Sequence, residues 1–411
     1  MKTQRLLILL TFAFLVNSIT FAEPAEITRK RATLREGPGS FFPAIAELQQ
    51  GNEVEILKTE EHWLRVSIRD LSGYISKKAI EESTKQENDP FARMSGQPSV
   101  TRVAQSGVSA AVKGFAEKYA RRLDGDESFL ETLYSYHITP AEYNRFRHAT
   151  YTNRNKNKIY RKVDLPRIRS KEVFSFSEEG IGLGIASKLA SMGIFENREL
   201  QDYVNYVGNL VVEASDAYDQ QIKFFILDVD KVNAYSCPGG IVFVTRGALQ
   251  RIQDEAELAC FLGHEIAHLV LRHGMKELEK RKPMVTADNA FAELEDVTEM
   301  STGMQATSDE LEDIAIESYE TIFAGRLEQY EDEADTYGLT IAARAGYSPQ
   351  AMVGLLGRLS QEKDLSGNAH YTMKQNRERQ ARIQRWLSRA GFPDDLLVSN
   401  LGRYQRRTSG L

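Results

Sequence analysis

The chain has 411 residues, room for two or three domains at roughly 150 residues each. Its 52 Lys and Arg against 58 Asp and Glu leave a net charge of −6, which argues against the strongly basic surface of a nucleic-acid binder. Apolar residues at 42% exclude a wholly disordered chain, and two cysteines are too few for a disulfide scaffold or a cysteine-rich metal cluster.

In chain order, Lys2 and Arg5 precede the apolar run Leu6–Val16. A polar pair, Asn17–Ser18, comes next, and Thr20-Phe21-Ala22 offers small residues for cleavage. This three-part pattern predicts a secretory signal peptide over residues 1–22. The run is too short to span a bilayer, and no later apolar run is longer. The mature chain is therefore expected to be periplasmic or secreted, with no transmembrane span.

Residues 26–82 read as short strands separated by turns. Trp63-Leu64-Arg65-Val66-Ser67-Ile68 alternates with period two, and Gly37-Pro38-Gly39 and Leu71-Ser72-Gly73 supply turns. Together with Ala32–Gly39, Leu48–Gly51 and Gly73-Tyr74-Ile75, the segment resembles a bacterial SH3-like domain. That resemblance implies either a cell-wall or peptide ligand or a docking module without a ligand of its own. Residues 83–170 are expected to form a polar linker to about residue 100 and then a helical segment. The basic stretch Tyr151–Lys162 is read as solvated surface.

The texture changes at about residue 171, and residues 171–411 are read as one domain. Helical patterns run from Phe176 to about Met192 and from Glu199 to Ser215. Strands are expected at Lys223–Asp228 and at Ile241–Val244, the latter preceded by Gly239-Gly240.

His264-Glu265-Ile266-Ala267-His268 is an HExxH motif. Asp254, with Glu257 three residues later, forms a capping box that opens a helix, and His273-Gly274 is expected to close it. Four residues apart on a helix, the two histidines share one face and can bind one Zn²⁺ per chain at about 2.0–2.1 Å. Glu265 is placed to act as general base. A catalytic zinc needs a third protein ligand. His273, about 140° around the helix from His268, is read as a helix-terminal residue instead. A second helical stretch carries Glu331-Asp332-Glu333-Ala334-Asp335. Charge alone does not choose Glu331 over Glu328 or Glu333. Cys237 and Cys260 are read as two separate buried thiols.

The segment from Phe176 onward resembles the HtpX-like zinc metallopeptidase family, in its soluble periplasmic BepA-like and mitochondrial Oma-type branches. The resemblance rests on Asn233–Gly247, on Asp254–Ala259, on Gly263–His268 with Arg272-His273-Gly274, and on Glu331–Asp335. It implies a mainly helical gluzincin with a small sheet, following the all-β SH3-like barrel. It also implies Glu331 as the third zinc ligand and Asp335 as a support for a ligand histidine. His370 is implied near the zinc, either stabilising an oxyanion or blocking the open position. Gly239, Gly240, Ile241, Val242 and Phe243 are implied as an edge strand on which an extended substrate docks. The acidic segment 283–330 is implied as a lid or plug over the cleft.

The resulting expectation is a zinc-dependent endopeptidase of the cell envelope acting on misfolded or stalled proteins. One rival is a chaperone-like factor for outer-membrane protein assembly with latent proteolysis. Another is a cell-wall hydrolase.

Overall fold

A computed structural model describes residues 23–81, 100–102, 123–152, 155–166, 176–279, 328–362 and 373–411, with a few positions between 113 and 174. The expected signal peptide, His370, and residues 283–327 of the acidic segment lie outside the described residues.

Six strands build the N-terminal sheet: β1 (Glu23–Glu26), β2 (Arg31–Arg35), β3 (Ala44–Gln49), β4 (Glu53–Thr59), β5 (Trp63–Ile68) and β6 (Leu71–Ser76). A seventh, β7 (Val100–Arg102), pairs with β3, so the expected linker contributes a strand. The strand order is β1-β4-β5-β6-β2-β3-β7, with every pairing antiparallel. The alternation legible in β5 puts Leu64, Val66 and Ile68 into a core with Ile27, Leu34, Leu48, Val54 and Ile75.

This sheet does not hang free. Phe41, on the loop after β2, packs its ring 4.3 Å from that of Tyr143 and joins the core of the C-terminal domain. Arg29 donates to Asp219 at 2.7 Å, Arg31 to Glu179 at 2.6 Å, and Ser76 bonds the Tyr218 hydroxyl at 2.9 Å. The segment read as a helical connector supplies helices Glu127–Ser135, Pro140–Tyr151 and Lys156–Lys162, and Phe129, Leu133, Tyr143 and Phe146 bury within that same core.

The second sheet has three strands, ordered β8 (Lys223–Leu227), β10 (Ile241–Thr245) and β9 (Ala234–Cys237). β10 is central, parallel to β8 and antiparallel to β9, and all its residues are buried. The expectation of an edge strand at Ile241, Val242 and Phe243 is therefore corrected, because their backbone is flanked on both sides by paired strands. Gly239 and Gly240 form the turn between β9 and β10 at φ +78° and +98°. A Cβ there would meet Glu179 Cα at 2.7 Å and Gln221 O at 2.5 Å, so these glycines permit close internal packing.

The far edge of β8 is closed by an antiparallel backbone bridge between Ile194 and Leu227 at its C-terminal end and by side chains before it. Helix Arg198–Glu213, capped by Asn197, presents Asn205 and Gln201 to that strand. Asn205 accepts from Phe224 N at 3.1 Å and donates to Phe224 O at 2.7 Å. Gln201 accepts from Ile226 N at 3.2 Å and also donates to Phe224 O. Two amides thus stand where a fourth strand would pair.

Helix Glu255–Val270, here called the motif helix, is buried along its whole length. It packs on β9 and, most extensively, on helix Glu328–Arg344, the carboxylate helix. The backbones of these two helices approach at Gly263 and Gly338. A Cβ on Gly263 would lie 2.7 Å from Gly338 O, and one on Gly338 would lie 2.7 Å from Gly263 C. Among the described residues, no helix is long and apolar enough to cross a membrane.

Candidate metal centre

The start of the motif helix obeys the local sequence closely. Asp254 accepts from Glu257 N at 2.9 Å, and the Glu257 carboxylate reaches back to Gln253 N at 2.7 Å, one residue beyond the usual capping-box partner. The end does not obey it. The helix stops at Val270, and the residue in the left-handed region is Arg272, at φ 54°, whereas Gly274 lies inside the next short helix, His273–Glu279.

The glycine contact sets the register between the two helices and so places the site residues. His264 comes directly after Gly263, and Glu331 and Asp335 lie up to two turns before Gly338 on the facing helix. His264 Nε2 and His268 Nε2 are 3.1 Å apart. Glu331 offers one oxygen to each, at 3.2 Å from His264 and 3.4 Å from His268. Both histidines are buried, and Glu331 is partly so. Glu265, 3% exposed, stands beside His264 in the helix. Of the residues expected at the site, His264, His268, Glu331 and Asp335 are thus brought together, whereas Ile241–Phe243 lie within the sheet.

Each imidazole is supported from behind. His264 Nδ1 is 3.0 Å from Asp335 Oδ1. Asp335 is held in turn by Arg379, on helix Met373–Ala390, whose Nε and Nη2 reach its oxygens at 2.6–3.0 Å. Arg379 Nη2 also lies 2.9 Å from His264 Nδ1 and 3.3 Å from its Nε2. His268 Nδ1 is 2.9 Å from His273 Nδ1, and His273 is stacked on Tyr330 and faces Glu333 at 3.3 Å.

Spacing along the chain does not reveal Arg379 or His273. The helical-wheel argument against His273 assumes one continuous helix, and the left-handed Arg272 breaks it and turns His273 back toward His268. Arg379 carries no motif and arrives from 115 residues downstream of His264.

The charges are strongly coupled. Burial and Arg379 press the His264 pKa down, but Glu331 and Asp335 outweigh them and lift it to about 9. Burial raises the Glu331 carboxyl, yet the two imidazoles hold it well below the usual carboxylate range. Burial also works to raise Asp335, and Arg379 and His264 overcome it to lower that carboxyl.

The donor set fits a zinc ion. Three atoms, each about 2.0–2.1 Å from a tetrahedral metal, lie about 3.3–3.4 Å from one another. The two imidazole nitrogens, 3.1 Å apart, come close to that figure, and one ligand atom from each of His264, His268 and Glu331 lies within 4.8 Å of the others, so that two imidazoles with one carboxylate leave a fourth position open. Cys237 and Cys260 are both buried, and burial drives the Cys260 thiol far above its ordinary pKa.

Residues 197–389 match peptidase family M48, and residues 30–81 match the bacterial SH3 domain. The β-barrel assembly-enhancing protease of Yersinia pestis is 28% identical over 176 residues, which is 42% of this chain and 35% of that protein. The protein of the same name from Escherichia coli K12 is 29% identical over 164 residues, 39% of this chain and 32% of its own. The mitochondrial metalloendopeptidase OMA1 of Schizosaccharomyces pombe is 26% identical over 191 residues, 46% of this chain and 53% of its own. The chain thus spans about a third of the two bacterial relatives and about half of the mitochondrial one. The match to the peptidase family follows the match to the bacterial SH3 domain along the chain.

Proposed function

We propose that this M48-domain chain is a zinc metalloendopeptidase of the cell envelope that hydrolyses misfolded or stalled envelope proteins. The observation that carries the reading is the convergence of His264, His268 and Glu331, with one ligand atom from each within 4.8 Å of the others, between two packed helices. The envelope setting rests on the expected signal peptide and on the relatives named for β-barrel assembly.

In this reading, His264, His268 and Glu331 hold one Zn²⁺. When bound, the ion supplies Lewis acidity toward a water molecule and toward the scissile carbonyl. Glu265 takes the proton from the attacking water and delivers it to the departing amide nitrogen. Asp335 and Arg379 keep His264 oriented with Nε2 facing the ion, and His273 does the same for His268.

The test is metal analysis of the purified full chain together with digestion of an unfolded protein such as casein. Wild type is expected to carry one zinc and to cleave. Glu265→Gln is expected to keep the zinc and to lose about 10²- to 10⁴-fold in rate. Equal cleavage by the two proteins, or a wild type without zinc, would overturn the assignment.

A further inference from the structure

Where the SH3 sheet meets the peptidase sheet, the two line a partly open cavity of about 100 Å³. Arg31, Arg35 and Glu47 line it from one side, and Asp219, Lys223 and Gly240 from the other. Most of the charges around it are matched. Arg29 is paired with Asp219, and Arg31 with Glu179 and more distantly with Glu47.

Two cations are left over. Arg35, 5% exposed, donates from Nη1 to Phe42 O at 3.0 Å, and its buried Nε has no hydrogen-bond partner among the described residues. Lys223, 7% exposed, donates to Leu133 O at 2.6 Å. Among the described residues, neither forms an ion pair with a carboxylate. Leaving a buried charge unmatched is costly, so a fold that keeps two of them facing one cavity from opposite sides is built to receive a compensating charge. The pKa directions agree: burial lowers Arg35 to about 10, and burial with Arg35 and Lys113 lowers Lys223 to about 7.

We propose that this seam binds a small oxyanion-bearing ligand, a carboxylate or a phosphate, between Arg35 and Lys223. The cavity has room for one such head group. Arg35 offers its Nε–H, and Lys223 a compact ammonium with donors beyond the one given to Leu133. The buried Asp219 Oδ1 and Glu179 Oε2, which lack hydrogen-bond partners among the described residues, can accept from hydroxyl or N–H groups of the same ligand. Because Arg35 belongs to β2 and Lys223 opens β8, the ligand ties the two domains together. The site is separate from the metal centre and does not depend on it.

The test uses the full chain. Thermal unfolding and calorimetric titration are run with sodium phosphate and with sodium acetate, against sodium chloride at the same ionic strength. Saturable stabilisation by phosphate or acetate beyond that of chloride is expected, and whichever anion acts identifies the head group. Arg35→Gln and Lys223→Met are each expected to weaken the binding at least tenfold. Lys223→Met removes a buried charge and should fold even if Arg35→Gln does not. A response to both anions no larger than to chloride, or binding unchanged in a folded Lys223→Met, would overturn the proposal.

Discussion

The motif helix carries two buried polar clusters, one at each end, and they are built on opposite principles. At the N-terminal end, Glu255 is 0% exposed. Its oxygens accept from Tyr203 Oη at 2.8 Å, Tyr347 Oη at 2.9 Å and Asn400 Nδ2 at 2.9 Å, and they pair with Arg403. Each of these neighbours is a donor pointed at an acceptor, and the helix dipole favours the negative charge there. Toward the other end, His264, His268 and Glu331 turn their acceptor atoms toward one another. That arrangement is favourable only with a cation among them, either protons or a metal. The first cluster completes a fold, whereas the second requires something from outside.

The sharpest way to break this comparison is to cut each cluster separately. Glu255→Ala leaves the buried Tyr203 and Tyr347 hydroxyls and the partly buried Arg403 without their shared acceptor and is expected to lose about 3–5 kcal/mol of stability. His264→Ala is expected to abolish stoichiometric zinc and proteolysis while costing the metal-free protein far less. Urea unfolding in the presence of a chelator, with metal analysis alongside, measures both effects. Similar stability losses in the two variants would remove the distinction.

A smaller effect is expected behind the metal centre. Arg379→Gln leaves the three ligands in place but loosens Asp335, and zinc affinity should fall about 10- to 100-fold. Competition with a chromogenic chelator reads this directly. Unchanged affinity would make Arg379 a packing residue.

A third buried charge gives a graded effect, spread over pH. Lys223 titrates near 7 when folded and near 10.4 when unfolded, so the unfolded state binds more protons between those values. Stability in chloride buffer should therefore rise with pH across that window, by up to about 1.4 kcal/mol per unit from this group. Lys223→Met should be more stable than wild type at pH 7, with the difference shrinking toward pH 10.

How far the site is legible in the sequence depends on the range of each interaction. The cap at Asp254 and the pairing of His264 with His268 are local consequences of helical spacing, so the residues themselves announce them. Charge leaves Glu331 as one of three acidic choices, and only the family resemblance singles it out. What selects it physically is the contact between Gly263 and Gly338, which slides one helix against the other and is invisible in charge patterning. Arg379 and His273 depend on tertiary placement alone. The expectation for β10 fails for a different reason. Its unbroken run Ile-Val-Phe-Val has no polar alternation, and such a run marks a strand covered on both faces. The two glycines before it suggest ligand approach, when their task is to let the β9–β10 turn pack against Glu179 and Gln221.

The amides of Gln201 and Asn205 along β8 have a consequence for the activity proposed above. Exposed strand margins invite extended chains to anneal, and under that proposal unfolded substrates would be among the recruits. By seating carboxamides along that margin, the helix denies them a template. Replacing both residues with leucine would preserve bulk but leave Phe224 N and Ile226 N without those acceptors, and a protein acting on unfolded polypeptide, as proposed, is then expected to co-precipitate with it.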